Sequence, residues 1–369
     1  MSELRAILSA ARELEERGMP MALATIVAVR GSTYRRPGAR LLVPASGEPI
    51  GTLSGGCFEG EVARTGREVL GDGRSRLVAF DATADGDEVW GLGLGCNGAM
   101  EVLVEAGEAV RRVLPLLESG LAGAAPVALV TLLSDPLGAR LAMDASRRRW
   151  SDLPPPLTES AQSAASAALE RGRSSLVELR PESRAFVEVI GPPIRLVVCG
   201  AGHDAVPLVG DARALGWRVL VTDVRRRLLN HARFGPEVRF ADAAPPDLAA
   251  HLEPSVRDFV VVMSHNYLRD LEYVRAVMGT PVRYIGVLGP RARTQRILAE
   301  LEEQGVGLSP ADRLKLHAPA GLDIGAEEPA EVARSIVAEI LAVDRGRAGG
   351  MLRAGEGPIH SRSRGYPPM

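Results

Sequence analysis

Two different rhythms of apolar and polar positions run along this chain, and one gives way to the other near residue 191. In the first part, residues 4–17 carry apolar positions at helical spacing, and residues 21–29 form a β-prone apolar run ending at Arg30-Gly31-Ser32-Thr33. Short strands are expected at 39–43 and 49–53, followed by the loop Ser54-Gly55-Gly56-Cys57 and a helical run at 58–70. Residues 76–80 and 99–105 read as strands on either side of a second glycine-rich loop, Gly93-Leu94-Gly95-Cys96-Asn97-Gly98. A helix at 108–114 and strands at 126–132, 139–142 and 185–190 complete this part. Residues 151–163, with Pro154-Pro155-Pro156 and several serines, read as a surface excursion. The pattern predicts an α+β domain over residues 1–190 that bears two glycine-rich cysteine loops, and no internal repeat is visible in it.

Beyond Gly191-Pro192-Pro193 the rhythm becomes regular. Apolar, β-branched runs at 196–199, 218–222, 259–263 and 283–288 alternate with helix-length segments, as parallel strands buried on both faces do. With a last helix expected at 329–343, a doubly wound α/β sheet is predicted over residues 191–345. Residues 349–369 are rich in Gly, Pro, Ser and Arg without apolar period, so the tail from 346 to 369 is expected to be disordered.

The turn after the first of these strands carries chemistry. Gly200-Ala201-Gly202-His203-Asp204-Ala205 leaves a strand, opens a helix, and meets Asp223 at the end of the next strand roughly twenty residues on. Such glycines let the backbone approach a phosphate, the helix start offers unpaired N–H donors, and the acid accepts from a ribose hydroxyl. Pro207 is compatible, because it falls among the first four N–H groups, which have no intrahelical acceptor. This is the turn of a Rossmann-type nucleotide-binding domain. Ligands of such sheets lie beyond the carboxyl ends of the strands, where the sequence places His203, Ser264, His265, Gly289, Arg291 and Arg293. His265 reads either as a proton-transfer group or as a solvated histidine, and the two arginines either as anion binders or as solvated helix residues. Cys199, inside an apolar strand, reads as core.

Composition narrows the field. The 369 residues carry a formal net charge of only −2, and the longest basic runs are the triplets at 147–149 and 225–227, which excludes a phosphate-tracking nucleic-acid surface. The most apolar stretch, 124–133, is about half of what a bilayer requires, so no membrane span is expected. The N-terminus lacks the apolar core of a signal peptide, and a cytoplasmic protein is the expectation. Three cysteines without a Cys-x-x-Cys pair exclude a disulfide framework or structural zinc site. Cys57 stands where a loop enters a helix, a setting that favours thiolate and suits a nucleophile, a metal ligand or a sulfur carrier. It equally suits a small residue filling a tight turn. Cys96 carries the same ambiguity without a following helix.

Several motifs taken together have a familiar look. They are Ala24-Thr25-Ile26-Val27 through Arg30-Gly31-Ser32, Pro37-Gly38, Gly51-Thr52-Leu53-Ser54-Gly55-Gly56-Cys57-Phe58-Glu59 and Gly95-Cys96-Asn97-Gly98. In the second part they are Gly200-Ala201-Gly202-His203, Ser264-His265, Tyr284-Ile285-Gly286-Val287-Leu288-Gly289, and Gly321-Leu322-Asp323-Ile324-Gly325 with the helix after Pro329. This set resembles the xanthine dehydrogenase accessory factor family, also called the XdhC/CoxI family, over most of the chain. Asp204 and Asn97 depart from the pattern.

The resemblance implies a maturation factor for molybdenum hydroxylases that binds a molybdopterin-type molybdenum cofactor. Such a factor supports sulfuration of the cofactor with a cysteine desulfurase and passes it to the apo-enzyme. On that reading Cys57 handles sulfur or contacts molybdenum, His265 assists the chemistry, and Gly55, Gly56, Cys96, Gly200, Gly202, His203, Asp223, Ser264, Gly289, Arg291 and Asp323 line the cofactor. The expected assembly is a homodimer. The alternative is an NAD(P)- or FAD-dependent oxidoreductase in which His265 assists proton transfer, and fold by itself does not separate the two.

Overall fold

A computed structural model of the chain describes residues 2–31, 33–56, 58–81, 98–123, 125–306 and 309–354. Cys57, Cys96 and most of the tail therefore lie outside the described residues. The chain divides into two compact units that meet in sequence between Pro192 and Pro193.

The first unit is built twice from one plan. Helix α1 (Ser2–Glu16) precedes β1 (Met21–Gly31), β2 (Arg40–Pro44), β3 (Ile50–Gly51), α2 (Glu59–Asp72), β4 (Arg76–Asp81) and β5 (Gly98–Ala106). After α3 (Glu108–Ala122) the plan returns as β6 (Val127–Leu132), β7 (Arg140–Asp144), β8 (Arg149–Ser151), α4 (Pro155–Arg171), β9 (Ser175–Arg180) and β10 (Ser183–Ile190). Among the described residues each copy forms a five-stranded antiparallel sheet, in the orders β3-β2-β1-β5-β4 and β8-β7-β6-β10-β9. Even the register repeats, since Thr25 pairs with Arg40 and Thr131 pairs with Arg140. Little of this duplication is legible in the amino acids beyond the shared Gly-Ala-Arg-Leu at 38–41 and 138–141, which corrects the expectation of no repeat. The prolines at 154–156 also misled: they open α4 instead of breaking it, because the first helical positions have no N–H acceptor to lose.

The copies lock together through buried charge. Arg40 binds Glu188 of β10, and Arg140 binds Glu105 of β5, each arginine also donating 2.8 Å to the carbonyl of the glycine two residues before it. Those glycines, Gly38 and Gly138, have φ of +95° and +86°, and a Cβ on either would stand under 3 Å from the partner carboxylate. Removing one member of such a pair leaves an uncompensated buried charge, a loss of about 3–5 kcal/mol. Apolar packing between the copies comes from Leu23, Leu42, Leu129 and Ile190 under α1 and α3.

Among the described residues the second unit has six parallel strands: β11 (Arg195–Cys199), β12 (Arg218–Thr222), β13 (Arg239–Ala241), β14 (Asp258–Val262), β15 (Tyr284–Val287) and β16 (Leu316–His317). Its helices are α5 (Ala205–Ala214), α6 (His231–Phe234), α7 (Leu248–Leu252), α8 (Tyr267–Val277), α9 (Arg291–Glu303), α10 (Pro310–Leu314) and α11 (Pro329–Arg345). The sheet order is β13-β12-β11-β14-β15-β16, the third, second, first, fourth, fifth and sixth strands of the Rossmann arrangement. Both faces are covered. Leu196 and Val198 pack against α5 and α11, while Val197 and Cys199 face α7, α8 and α9, as the two-residue period of a strand dictates. The order reverses between β11 and β14, which is where such sheets open a crevice for ligand.

Candidate functional site

At that switch point the glycine turn is shaped by close approach. Gly200 has φ +126°, and a Cβ there would stand 2.5 Å from the Met263 carbonyl oxygen, so only glycine lets β11 and β14 end side by side. Pro207 is the third residue of α5, within the turn that needs no acceptor. Among the described residues the N–H groups of Gly202, His203 and Asp204 have no protein acceptor, leaving a short row of donors at the start of α5. From beneath, Arg233 braces the turn by donating to the carbonyls of Ala201 (2.8 Å), Leu228 (2.9 Å) and Gly202 (3.0 Å).

The polar residues named from the sequence fall into three groups. Around the turn itself, His265 Nε2 meets Asp204 Oδ2 at 2.6 Å, which brings the β14 end against the α5 start. His265 holds a left-handed φ of +57°, a conformation that costs a non-glycine residue about 1 kcal/mol and that clusters at functional sites. Asp223 accepts from the Ala201 N–H at 2.8 Å and is clasped by Arg225. Burial opposes its charge, but the Arg225 fork and two backbone donors outweigh that and hold its carboxyl below the usual range. His203 is exposed beside the turn.

A second group is spent on structure. Ser264 directs both its N–H and its hydroxyl to Asp270 in the first turns of α8, and Arg293 binds the other oxygen of the same carboxylate. Asp270 is fully buried, and burial raises its pKa despite these donors. Arg293, one of two arginines expected to bind an anion, is thus committed to a buried acid. Cys199 is also fully buried, and burial pushes its thiol pKa up, as a core cysteine requires. The third group stays open to solvent: Arg291 at the start of α9 and Asp323 in the loop after β16 are exposed and have no partner among the described residues. Gly289, with φ +131°, permits the turn into α9. The Asp323 loop hangs from Glu339 of α11, which accepts from the Gly321 N–H (2.8 Å), the Tyr284 hydroxyl (2.6 Å) and His317 Nδ1 (3.0 Å).

In the first unit, Gly55 and Gly56 belong to a different construction. The N–H groups of Leu53, Ser54, Gly55 and Gly56 all converge on the Glu59 carboxylate at 2.7 to 3.0 Å, joined by the Ser54 hydroxyl. Burial would raise the pKa of Glu59, yet these donors win and hold it at about 2. Gly55 and Gly56, with φ of +78° and +115°, make the curl possible. Sequence reasoning gives no site role to Glu59, Asp204, Arg225 or Arg233. An acid in the first turn of a helix behind a glycine loop is the one local signal that points to Glu59; the others depend on side-chain geometry. Among the described residues no group of three or more His, Cys, Asp or Glu is placed to hold a metal ion, and no helix is long and apolar enough to cross a membrane.

Sheet order, switch point and donor-lined turn define a Rossmann-type unit that follows a duplicated α+β unit along the chain. Residues 196–340 match the family described as the XdhC Rossmann domain, and residues 14–81 match the XdhC and CoxI family. A relative from Bacillus subtilis (strain 168), named as a probable xanthine dehydrogenase subunit, is 33% identical over 92% of this chain and 97% of its own length. The chain belongs to the XdhC and CoxI family. The molybdenum cofactor insertion chaperone PaoD of Escherichia coli (strain K12) is 24% identical over 92% of this chain and 88% of its own. A crystal structure described as a xanthine dehydrogenase from Bacillus halodurans superposes with a TM-score of 0.75 at 29% identity, covering 92% of this chain and 96% of that one.

Proposed function

We propose that this chain is an accessory factor for a molybdenum hydroxylase of the xanthine dehydrogenase type. It binds a molybdopterin-type cofactor, supports its sulfuration and delivers it to the apo-enzyme. The observation that carries this reading is the donor row at Gly202, His203 and Asp204, in a chain similar over nearly its whole length to an insertion chaperone. A phosphate-ended pterin suits that row: the N–H groups have no acceptor among the described residues, and the Asp204 carboxylate, with one oxygen against Gly202, is paired at its other oxygen with His265. When bound, the cofactor would supply the molybdenum and its exchangeable sulfur ligand. The second unit's part is to hold the phosphate end at the turn, and sulfur handling falls to Cys57 or Cys96, because Cys199 is buried in β11.

The test is metal analysis of the purified protein together with activation of an apo-hydroxylase. We expect molybdenum to co-purify with the chain and client activity to rise when the loaded chain is added. Cys57→Ser should leave the melting temperature unchanged while lowering both readouts, because a hydroxyl is neither a soft ligand nor a sulfur carrier at neutral pH. Full loading and full activation by Cys57→Ser would remove Cys57 from the proposal, and a chain that never carries molybdenum would end it.

A further inference from the structure

The acid that closes the second strand of a Rossmann unit is the usual acceptor for a ribose diol. Here that acceptor is already filled. Asp223 Oδ1 accepts from the N–H of Arg225 at 2.8 Å and from its Nε at 2.9 Å, while Oδ2 accepts from Arg225 Nη2 at 2.7 Å and from the Ala201 N–H at 2.8 Å. An ionised carboxylate offers about four lone-pair directions, and all of them are used. The Asp223 side chain is 2% exposed and the Arg225 side chain 39%, so a ligand arriving from solvent meets guanidinium and not carboxylate. Arg225 Nη1 has no acceptor among the described residues. The clasp is local, closed two residues along the chain and tied by the Arg225 N–H itself, so it stands ready before any ligand arrives.

We propose that Arg225 is the specificity residue of this turn, closing the ribose position against the adenosine half of a dinucleotide and presenting a guanidinium edge to a ligand that ends in a phosphate monoester. A ribose hydroxyl would have to displace a bidentate, charge-assisted pair, which a neutral hydroxyl cannot repay. A phosphate monoester needs no acceptor there and finds donors on two sides, from the free Nη1 edge and from the row at the start of α5. This rests on reading the Gly200 turn as the ligand-bearing turn, and not on which hydroxylase is served.

The experiment is calorimetric titration of the full chain with ADP-ribose and with its 2′-phosphorylated form, in the wild type, Arg225→Ala and the double variant Arg225→Ala/Asp223→Asn. ADP-ribose should bind Arg225→Ala about tenfold or more tightly than the wild type, and the double variant should lose that gain. If circular dichroism shows Arg225→Ala unfolded, Arg225→Gln, which cannot form the fork, carries the same expectation. Equal affinity in wild type and variant would overturn the proposal. So would a wild type that prefers the 2′-phosphorylated form tenfold, because Arg225 would then be reading a dinucleotide's own phosphate. Molybdenum content, measured on the same preparations, separates the two readings. Its absence together with the ADP-ribose gain ends the accessory-factor reading alone, and its presence without the gain ends this one alone.

Discussion

Two backbone cradles in this chain meet opposite fates. Leu53, Ser54, Gly55 and Gly56 aim their N–H groups at a carboxylate the chain supplies itself, Glu59, whereas those of Gly202, His203 and Asp204 meet no acceptor among the described residues. Both precede a helix and both depend on glycine. What differs is the acid that follows. Glu59, the first residue of α2, folds back onto its own loop and acts as a resident anion. Asp204 stands just before α5 with one carboxylate oxygen against Gly202 yet accepts from none of these N–H groups, and its other oxygen is paired with His265 at 2.6 Å. A donor cradle becomes a shaped loop when the neighbouring acid fills it, and keeps its N–H groups free when that acid is paired with another residue.

The largest expected effect removes the open cradle altogether. Gly200→Val places a Cβ against the Met263 carbonyl at a φ of +126°, and should cost about 3 kcal/mol or more. Calorimetry should show the transition of the second unit falling by many degrees while that of the first unit stays. Arg233→Ala comes next. It strips donors from three carbonyls and should cost about 2 kcal/mol, with inorganic phosphate protecting the variant less than the wild type in thermal melts.

Glu59→Ala should cost about 1–2 kcal/mol once solvent screening is allowed for, and should convert the filled cradle into an open one. A rise in its melting temperature with added phosphate, beyond any rise in the wild type, is the measurement that checks this. The same carboxyl sets an acid limb. Its pKa in the fold is about 2 against roughly 4.3 in an unfolded chain, so its contribution is complete above the higher value and disappears as pH falls towards the lower. Glu59→Gln should flatten that limb of the stability curve. The smallest effect belongs to His265→Ala. It should change stability by under about 1 kcal/mol, because the imidazole is largely exposed although Asp204 is mostly covered, yet it frees Asp204 to swing onto the donors. A phosphate titration should show affinity reduced severalfold, and unchanged affinity would mean that His265 does not keep the cradle open.

The second unit was legible where the signal is local. Apolar runs marked β11, β12, β14 and β15, and the Gly200 turn with Asp223 followed from spacing along the chain. The strands β13 and β16 escaped because three and two residues carry no period. In the first unit β8 and β9 also escaped, and the doubling was not read from the strands that were found, because the copies share sheet order and register while nearly all side chains differ. At the site, positions were readable and commitments were not. Nothing in the order of residues says that Arg293 is taken by Asp270 or Asp223 by Arg225, because those pairings are decided by which side chains the folded sheet brings within reach.

The exchanged arginines of the duplicated unit make its two halves dependents of one another. Each sheet carries a buried glutamate whose only strong countercharge among the described residues grows from the opposite sheet, so neither half is a finished object by itself. Cut between α3 and β6, such a chain should yield two fragments that are poorly soluble apart and that reassemble when mixed, as a heterodimer does. What was built by copying behaves as a partnership, and the connecting segment supplies only proximity.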